Sequence, residues 1–179
     1  METYLALFRG INVGGNHSLP MKELAAILQG LGCRDVRTFI QSGNAVFASA
    51  TQDAARLAAA MGAEIKQRRG FEPHILLLTR AEFEQAIAAN PFPEAENEPQ
   101  TLHLGFLVSV PPKPDLQGIE KLRAASERCQ LVGRVFYLHA PEGIGRSKLA
   151  AASERLLGVP MTDRNWRTVQ ALAAMAREL

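Results

Sequence analysis

The sequence predicts an α+β fold of two ferredoxin-like βαββαβ halves, each followed by a helix, with antiparallel sheets carrying helices on one face. Three observations lead there. Apolar runs and amphipathic stretches follow the order strand, helix, strand, strand, helix, strand between residues 4 and 78. The same order returns between residues 102 and 161. An acidic, polar, proline-flanked stretch, residues 94–100, separates the two. The expected division is therefore 1–93, a linker at 94–100, and 101–179. The repeat is one of order only, because no identity between the halves is visible.

Each element has a local reason. Residues 4–8, Tyr-Leu-Ala-Leu-Phe, are apolar without alternation, as in a strand buried on both faces. After a polar loop, Pro20 suits the first helical turn. Met21, Leu24, Ala25, Leu28 and Leu31 keep helical spacing until Gly32 stops them. Residues 36–40 and 45–48 form two strands, with Ser42-Gly43-Asn44 as the hairpin turn. Asp53 caps a helix that carries Leu57, Met61 and Ile65 inward and ends at Gly70. A strand at 74–78 follows. Thr79-Arg-Ala-Glu82 is a capping box for a third helix, which the prolines after Asn90 break.

In the second half, residues 102–108 are a strand and Pro111-Pro-Lys-Pro114 a stiff connection. A helix is expected from 115 to 128, then strands at 130–132 and 134–139. Ser147 caps a helix stopped by Gly158, and 159–161 fill the slot of a very short last strand. Thr162 then caps a final helix with Trp166, Val169, Leu172 and Ala173 on one face. That register makes Trp166 a core residue rather than a base-stacking platform.

Composition narrows the class. Of 179 residues, 47% are hydrophobic and 21% charged, ordinary for a globular chain that buries its own core. The net charge is +2, divided as −2 over residues 1–99 and +4 over 100–179. The basic C-terminal half keeps a nucleic-acid partner open, but the excess falls well short of a dedicated binder. No apolar run approaches the ~18 residues that a membrane helix needs. The N-terminal residues lack the pattern of a secretory leader. Cys33 and Cys129 are lone and unpatterned, which predicts reduced thiols in a cytoplasmic protein. His17, His74, His103 and His139 show no metal spacing, so no metal is expected.

Three polar segments hold the functional signal. Arg9-Gly-Ile-Asn-Val-Gly-Gly-Asn16 joins a strand to a helix. Its glycines allow a sharp path, Arg9 offers a fork of donors for phosphate or carboxylate, and Asn12 can donate and accept. The spacing is neither a Rossmann fingerprint nor a P-loop. Two readings stand for it: a ligand loop that uses Arg9, Asn12, Gly14 and Gly15, or a tight connection with Arg9 in an ion pair. Gln41, Ser42 and Asn44 form a second polar turn. The third segment, Gly143-Ile-Gly-Arg-Ser-Lys148, opens a helix, where free N–H groups and the cations Arg146 and Lys148 attract an anion. Gly145, Arg146, Ser147 and Lys148 are its candidates. The alternative is a plain Ser-capped helix with solvated cations. Arg164 and Asn165, at the start of the last helix, add a further cation and an amide.

Together, Ala6-Leu-Phe-Arg-Gly-Ile-Asn-Val-Gly-Gly15, Phe39-Ile-Gln-Ser-Gly-Asn-Ala-Val-Phe47, and Gly145-Arg-Ser-Lys148 with Thr162-Asp-Arg-Asn-Trp-Arg-Thr168 resemble the domain-of-unknown-function family 1697 over nearly the whole chain. The resemblance implies a bacterial protein of ferredoxin-like α+β units and no assigned activity. The expected function is a cytoplasmic binder of a phosphate- or carboxylate-bearing small molecule or nucleotide, in a cleft between halves. A nucleic-acid binder, an enzyme such as a transferase clamping substrate with Arg9, Asn12 and Lys148, and an interaction module or homodimer pairing through a sheet edge are the alternatives. No catalytic residue or cofactor can be assigned, and monomer and homodimer both remain open.

Overall fold

A computed structural model describes residues 1–41 and 43–179. Ser42, expected in a ligand turn, lies outside them. The chain divides into two units, Met1–Gln85 with Ala171–Leu179, and Ala86–Gln170. The acidic segment at 94–100 lies inside the second unit, and a 3-10 turn, Pro93–Asn97, covers its beginning.

The first unit contains β1 (Glu2–Arg9), α1 (Met21–Gly30), β2 (Arg34–Phe39), β3 (Asn44–Ser49), α2 (Ala54–Arg69) and β4 (His74–Thr79). Its sheet is antiparallel in the order β2-β3-β1-β4. That order is the ferredoxin-like arrangement. Helices α1 and α2 cover one sheet face, burying Tyr4, Ala6, Phe8, Ala45, Phe47 and Leu77 against Leu24, Ile27, Leu28, Leu57, Met61 and Ile65. Leu5, Leu7, Val46, Leu76 and Leu78, on the opposite face, are buried as well. Double-sided burial explains why β1 reads as an unbroken apolar run. Asp53 accepts from the Arg56 N–H at 2.9 Å, and Gly70 ends α2 in left-handed conformation. On the edge strand β2, the register shifts between Arg34 and Arg37, with Asp35 at φ 53. Such a bulge discourages pairing with another chain.

Next comes α3 (Arg80–Ala88), begun by the expected reciprocal box. The Thr79 N–H donates to Glu82 at 2.8 Å, and the Glu82 N–H donates to Thr79 Oγ1 at 3.2 Å.

The second unit repeats the plan with β5 (Leu102–Leu107), α4 (Leu116–Leu122), β6 (Arg128–Val132), β7 (Val135–His139), α5 (Lys148–Leu157) and β8 (Met161–Asn165). Its sheet order, β6-β7-β5-β8, is the same permutation. Leu107, Phe136, Leu138, Leu149, Leu156 and Leu157 form the core under α4 and α5. The last helix is α6 (Trp166–Arg177). Near its end Glu178 pairs with Arg37 and Arg177 with Glu84, within the first unit.

Three local expectations are corrected. The helix expected over 115–128 stops at Leu122, where Arg123 turns extended. The Glu127 carboxylate accepts from the Ala124 N–H at 3.0 Å, and Arg123 Nη1 donates to the Glu127 carbonyl at 2.7 Å. These bonds close a turn that competes with helix continuation. The last strand occupies Met161–Asn165 rather than 159–161, paired to β5 with Phe106 opposite Thr162. Thr162 is therefore a buried strand residue, and Asn165 caps α6 by accepting from the Thr168 N–H at 3.0 Å. Among the described residues of the β2–β3 connection, Ile40 and Gly43 are left-handed, while Asn44 already belongs to β3.

Candidate functional site

Sheet topology brings the first two polar segments together. Leu7 of β1 lies opposite Asn44 of β3, so β1 leaves the sheet at the end where the β2–β3 connection turns. The Phe8 N–H donates to the Gly43 carbonyl at 2.9 Å. A Cβ on Gly43, at φ 91, would stand 2.5 Å from Ile11 Cδ1 and 2.7 Å from Phe8 Cβ. Both backbone shape and packing therefore require glycine there.

Asn12 clamps the two segments. Its Nδ2 donates to the carbonyls of Leu19 and Gln41, each at 2.8 Å, and its Oδ1 accepts from the Leu19 N–H at 2.7 Å. It does so at φ 53, a conformation that asparagine adopts more readily than most residues. Asn44 is fully buried and donates to the Phe39 carbonyl at 3.0 Å. Both amides thus act as scaffold. Beyond Asn12 the chain forms a small tongue: Val13 bridges Asn16, the Asn12 N–H reaches the His17 carbonyl at 3.1 Å, and Gly14 and Gly15 sit at φ 60 and 76. Two consecutive positive φ values mark the tight hairpin that matches strand twist. Arg9, Gln41 and the tongue glycines are exposed at this end, along with the apolar Val13 and Ile40.

The third segment belongs to the other end of its sheet. It follows β7, whose last residue, His139, lies opposite Leu102 at the start of β5. Gly143 takes φ 96, residues 144–146 make a 3-10 turn, and Ser147 Oγ accepts from the Ala150 N–H at 3.0 Å to cap α5. Here Lys121, Arg146 and Lys148 line one cleft of about 350 Å³ with Gly143, Glu127 and Glu142. The 123–127 turn that shortens α4 supplies one wall. Lys121 and this turn were not identified from sequence, because α4 was expected to run past them. Arg164 and Asn165 do not line the cleft. They lie on β8, which is separated from β7 by β5.

A family model for proteins of unknown function, DUF1697, matches residues 1–137. The chain belongs to the DUF1697 family. The match includes the Arg9 loop and the Gln41 turn and ends before the Gly143 segment. Among solved structures, the chain is similar to the conserved bacterial protein SP0830 from Streptococcus pneumoniae, with 23% identity, 98% of each chain covered and a TM-score of 0.69. That likeness concerns the fold. No curated protein matches the chain.

The electrostatics of this DUF1697 chain separate structural groups from candidates. In the second unit His103 is buried between two acceptors, with Nδ1 at 2.8 Å from Asp163 Oδ2 and Nε2 at 3.2 Å from the Gln100 carbonyl. Burial opposes the charged ring, but the Asp163 bond and charge, with the Gln100 carbonyl, outweigh it and raise its pKa. Arg164 donates to the Asp163 carbonyl at 2.7 Å, and burial pushes its guanidinium down to about 10. The Arg128 guanidinium stands over the Phe92 ring and donates to His139 Nδ1 at 3.1 Å. Burial raises both thiols, Cys33 to about 11, so neither is an activated nucleophile. Trp166 is a core residue, 1% exposed. Among the described residues, no group of three or more His, Cys, Asp or Glu could hold a metal, and no helix is long and apolar enough to cross a membrane.

Proposed function

We propose that the second unit binds a small phosphate- or carboxylate-bearing ligand in the cleft at the start of α5. One observation carries this reading: Lys121, Arg146 and Lys148 line the same cleft. Lysine serves there as a mobile point charge and arginine as a planar fork, a pair suited to one oxyanion. The first turn of α5 adds N–H groups that Ser147 satisfies only in part, and its dipole favours negative charge by about 0.3–1 kcal/mol. The volume of about 350 Å³ suits a metabolite rather than a polymer. Glu127 and Glu142 reduce the net charge of the lining, which favours a compact, oriented anion over general attraction to a polyanion.

Calorimetric titration with nucleotides, sugar phosphates and small dicarboxylates tests the proposal. At least one should bind, and Lys148→Ala should weaken it about tenfold, the loss of one charge-assisted hydrogen bond. If no compound binds, or if Arg146→Ala and Lys148→Ala leave every affinity unchanged, the cleft is not the site.

A further inference from the structure

The charges that line the α5 cleft do not cancel one another locally. Lys121, Arg146 and Lys148 share the lining with Glu127 and Glu142. Among the described residues, no ion pair joins either of these acids to any of these cations. Opposite charges therefore border one cavity of about 350 Å³ while staying apart. Glu127 is the unusual member. It is 5% exposed, whereas the other four are exposed. Its Oε2 accepts from the Ala124 N–H at 3.0 Å, and its Oε1 accepts no hydrogen bond among the described residues. The neighbouring cation, Arg123, is committed elsewhere. Its Nε and Nη2 donate to the Glu120 carboxylate at 3.0 and 2.9 Å, and its Nη1 donates to the Glu127 backbone carbonyl at 2.7 Å. A carboxylate removed from water needs a cation or several donors to offset its lost hydration. Glu127 has one backbone donor and one oxygen left over.

We propose that the cleft ligand is zwitterionic, an oxyanion that carries a protonated amine in the same small molecule. This rests on the anion reading above and adds a second pole to it. The ammonium donates to Glu127 Oε1, while Lys121, Arg146 and Lys148 hold the phosphate or carboxylate. A hydroxyl would make the same hydrogen bond but leave the Glu127 charge uncompensated, so a cationic nitrogen is the better match. General attraction works in the opposite direction. A merely cationic surface prefers ethyl phosphate to aminoethyl phosphate, because ethyl phosphate lacks the ammonium and is the more negative ion.

The test titrates the whole nitrogen-15-labelled chain at neutral pH and follows the Gly143 and Lys148 amides. Two matched pairs are compared: aminoethyl phosphate with ethyl phosphate, and β-alanine with propionate. In at least one pair the amino compound should bind about tenfold more tightly, the worth of one charge-assisted hydrogen bond. Glu127→Gln retains an oxygen for the Ala124 N–H, so the 123–127 turn still closes. It should bring the two affinities within about twofold of each other, with the melting temperature as the check on folding. The wild-type comparison is decisive even if that variant does not fold. Equal affinity within both pairs, or a preference that survives Glu127→Gln, overturns the zwitterion and leaves the anion site in place. If neither these compounds nor any other anion binds, the anion reading fails with it.

Discussion

Asn12 is the residue whose loss should damage the first unit most for its size. Asn12→Ala removes three hydrogen bonds and leaves the Leu19 N–H and two carbonyls without that partner. At about 0.5–1.5 kcal/mol net per bond, these contribute roughly 3 kcal/mol. Alanine at φ 53 adds about 1 kcal/mol of backbone strain. The site is partly open to water, which rehydrates some of the freed groups, so the expected cost is about 3 kcal/mol in total. Asn12→Gly removes the same bonds without the strain and should be about 1 kcal/mol less damaging than alanine. Asn12→Asp keeps the oxygen that accepts from Leu19 but turns a carboxylate oxygen toward two carbonyls. It should be at least as harmful as alanine near neutral pH and should recover on acidification. Urea unfolding followed by far-ultraviolet circular dichroism gives the numbers, with the Trp166 emission as a probe in the second unit. An alanine variant within about 0.5 kcal/mol of wild type would show that water replaces the clamp and that the loop is not held by Asn12.

Further outcomes follow from single contacts. The folded-state pKa of His103 is raised, so its contribution is fully present below the unfolded value of about 6.5 and is lost as pH rises through the folded value. Stability should therefore show a declining alkaline limb that His103→Gln removes, as read by melting temperature against pH. Gly43→Ala meets Ile11 and Phe8 as well as a forbidden φ and should cost about 3 kcal/mol or more, whereas Gly14→Ala, strained but in open space, should cost about 1 kcal/mol; urea midpoints rank the two. Ser147→Ala should cost about 1 kcal/mol through the lost α5 cap, whereas Ser147→Asp should retain most of it, again by urea unfolding.

What the sequence made legible was chemistry that acts within a few residues. Asp53, Ser147, the Thr79–Glu82 pair and the glycines ending α2 and α5 each perform the expected local task. Periodicity then supplied the element order, and the order supplied the ferredoxin-like permutation. What failed depended on distant partners. Residues 123–128 have good helical composition, and a carboxylate folding back onto the Ala124 N–H, together with the pairing of Arg128 opposite His139, overrides it. β8 gains its length from β5, far away in the chain. The same divide runs through the sites. The Arg9 loop was conspicuous for its glycines, but nothing local shows that Asn12 reaches the Gln41 carbonyl. Nor does any local signal show that Phe71, beyond α2, lies under the His17 ring.

Repetition of the fold did not bring repetition of the special loops. In the first unit the glycine tongue follows the first strand, at the sheet end shared with the hairpin. The equivalent connection in the second unit runs from Val108 through Pro114, has no glycine, and is stiffened by three prolines. That stretch has no residue suited to a tight left-handed hairpin, and Val110 is 60% exposed there. The second unit instead carries its glycines and cations after its third strand, at the opposite sheet end. The matching segment of the first unit, between β3 and α2, holds no glycine, and its helix is capped by the acid Asp53. A carboxylate at that helix start occupies the position and dipole that an external anion would use. The glycine-and-cation segment before α5 therefore has no counterpart before α2, and the clamped tongue after β1 has none after β5.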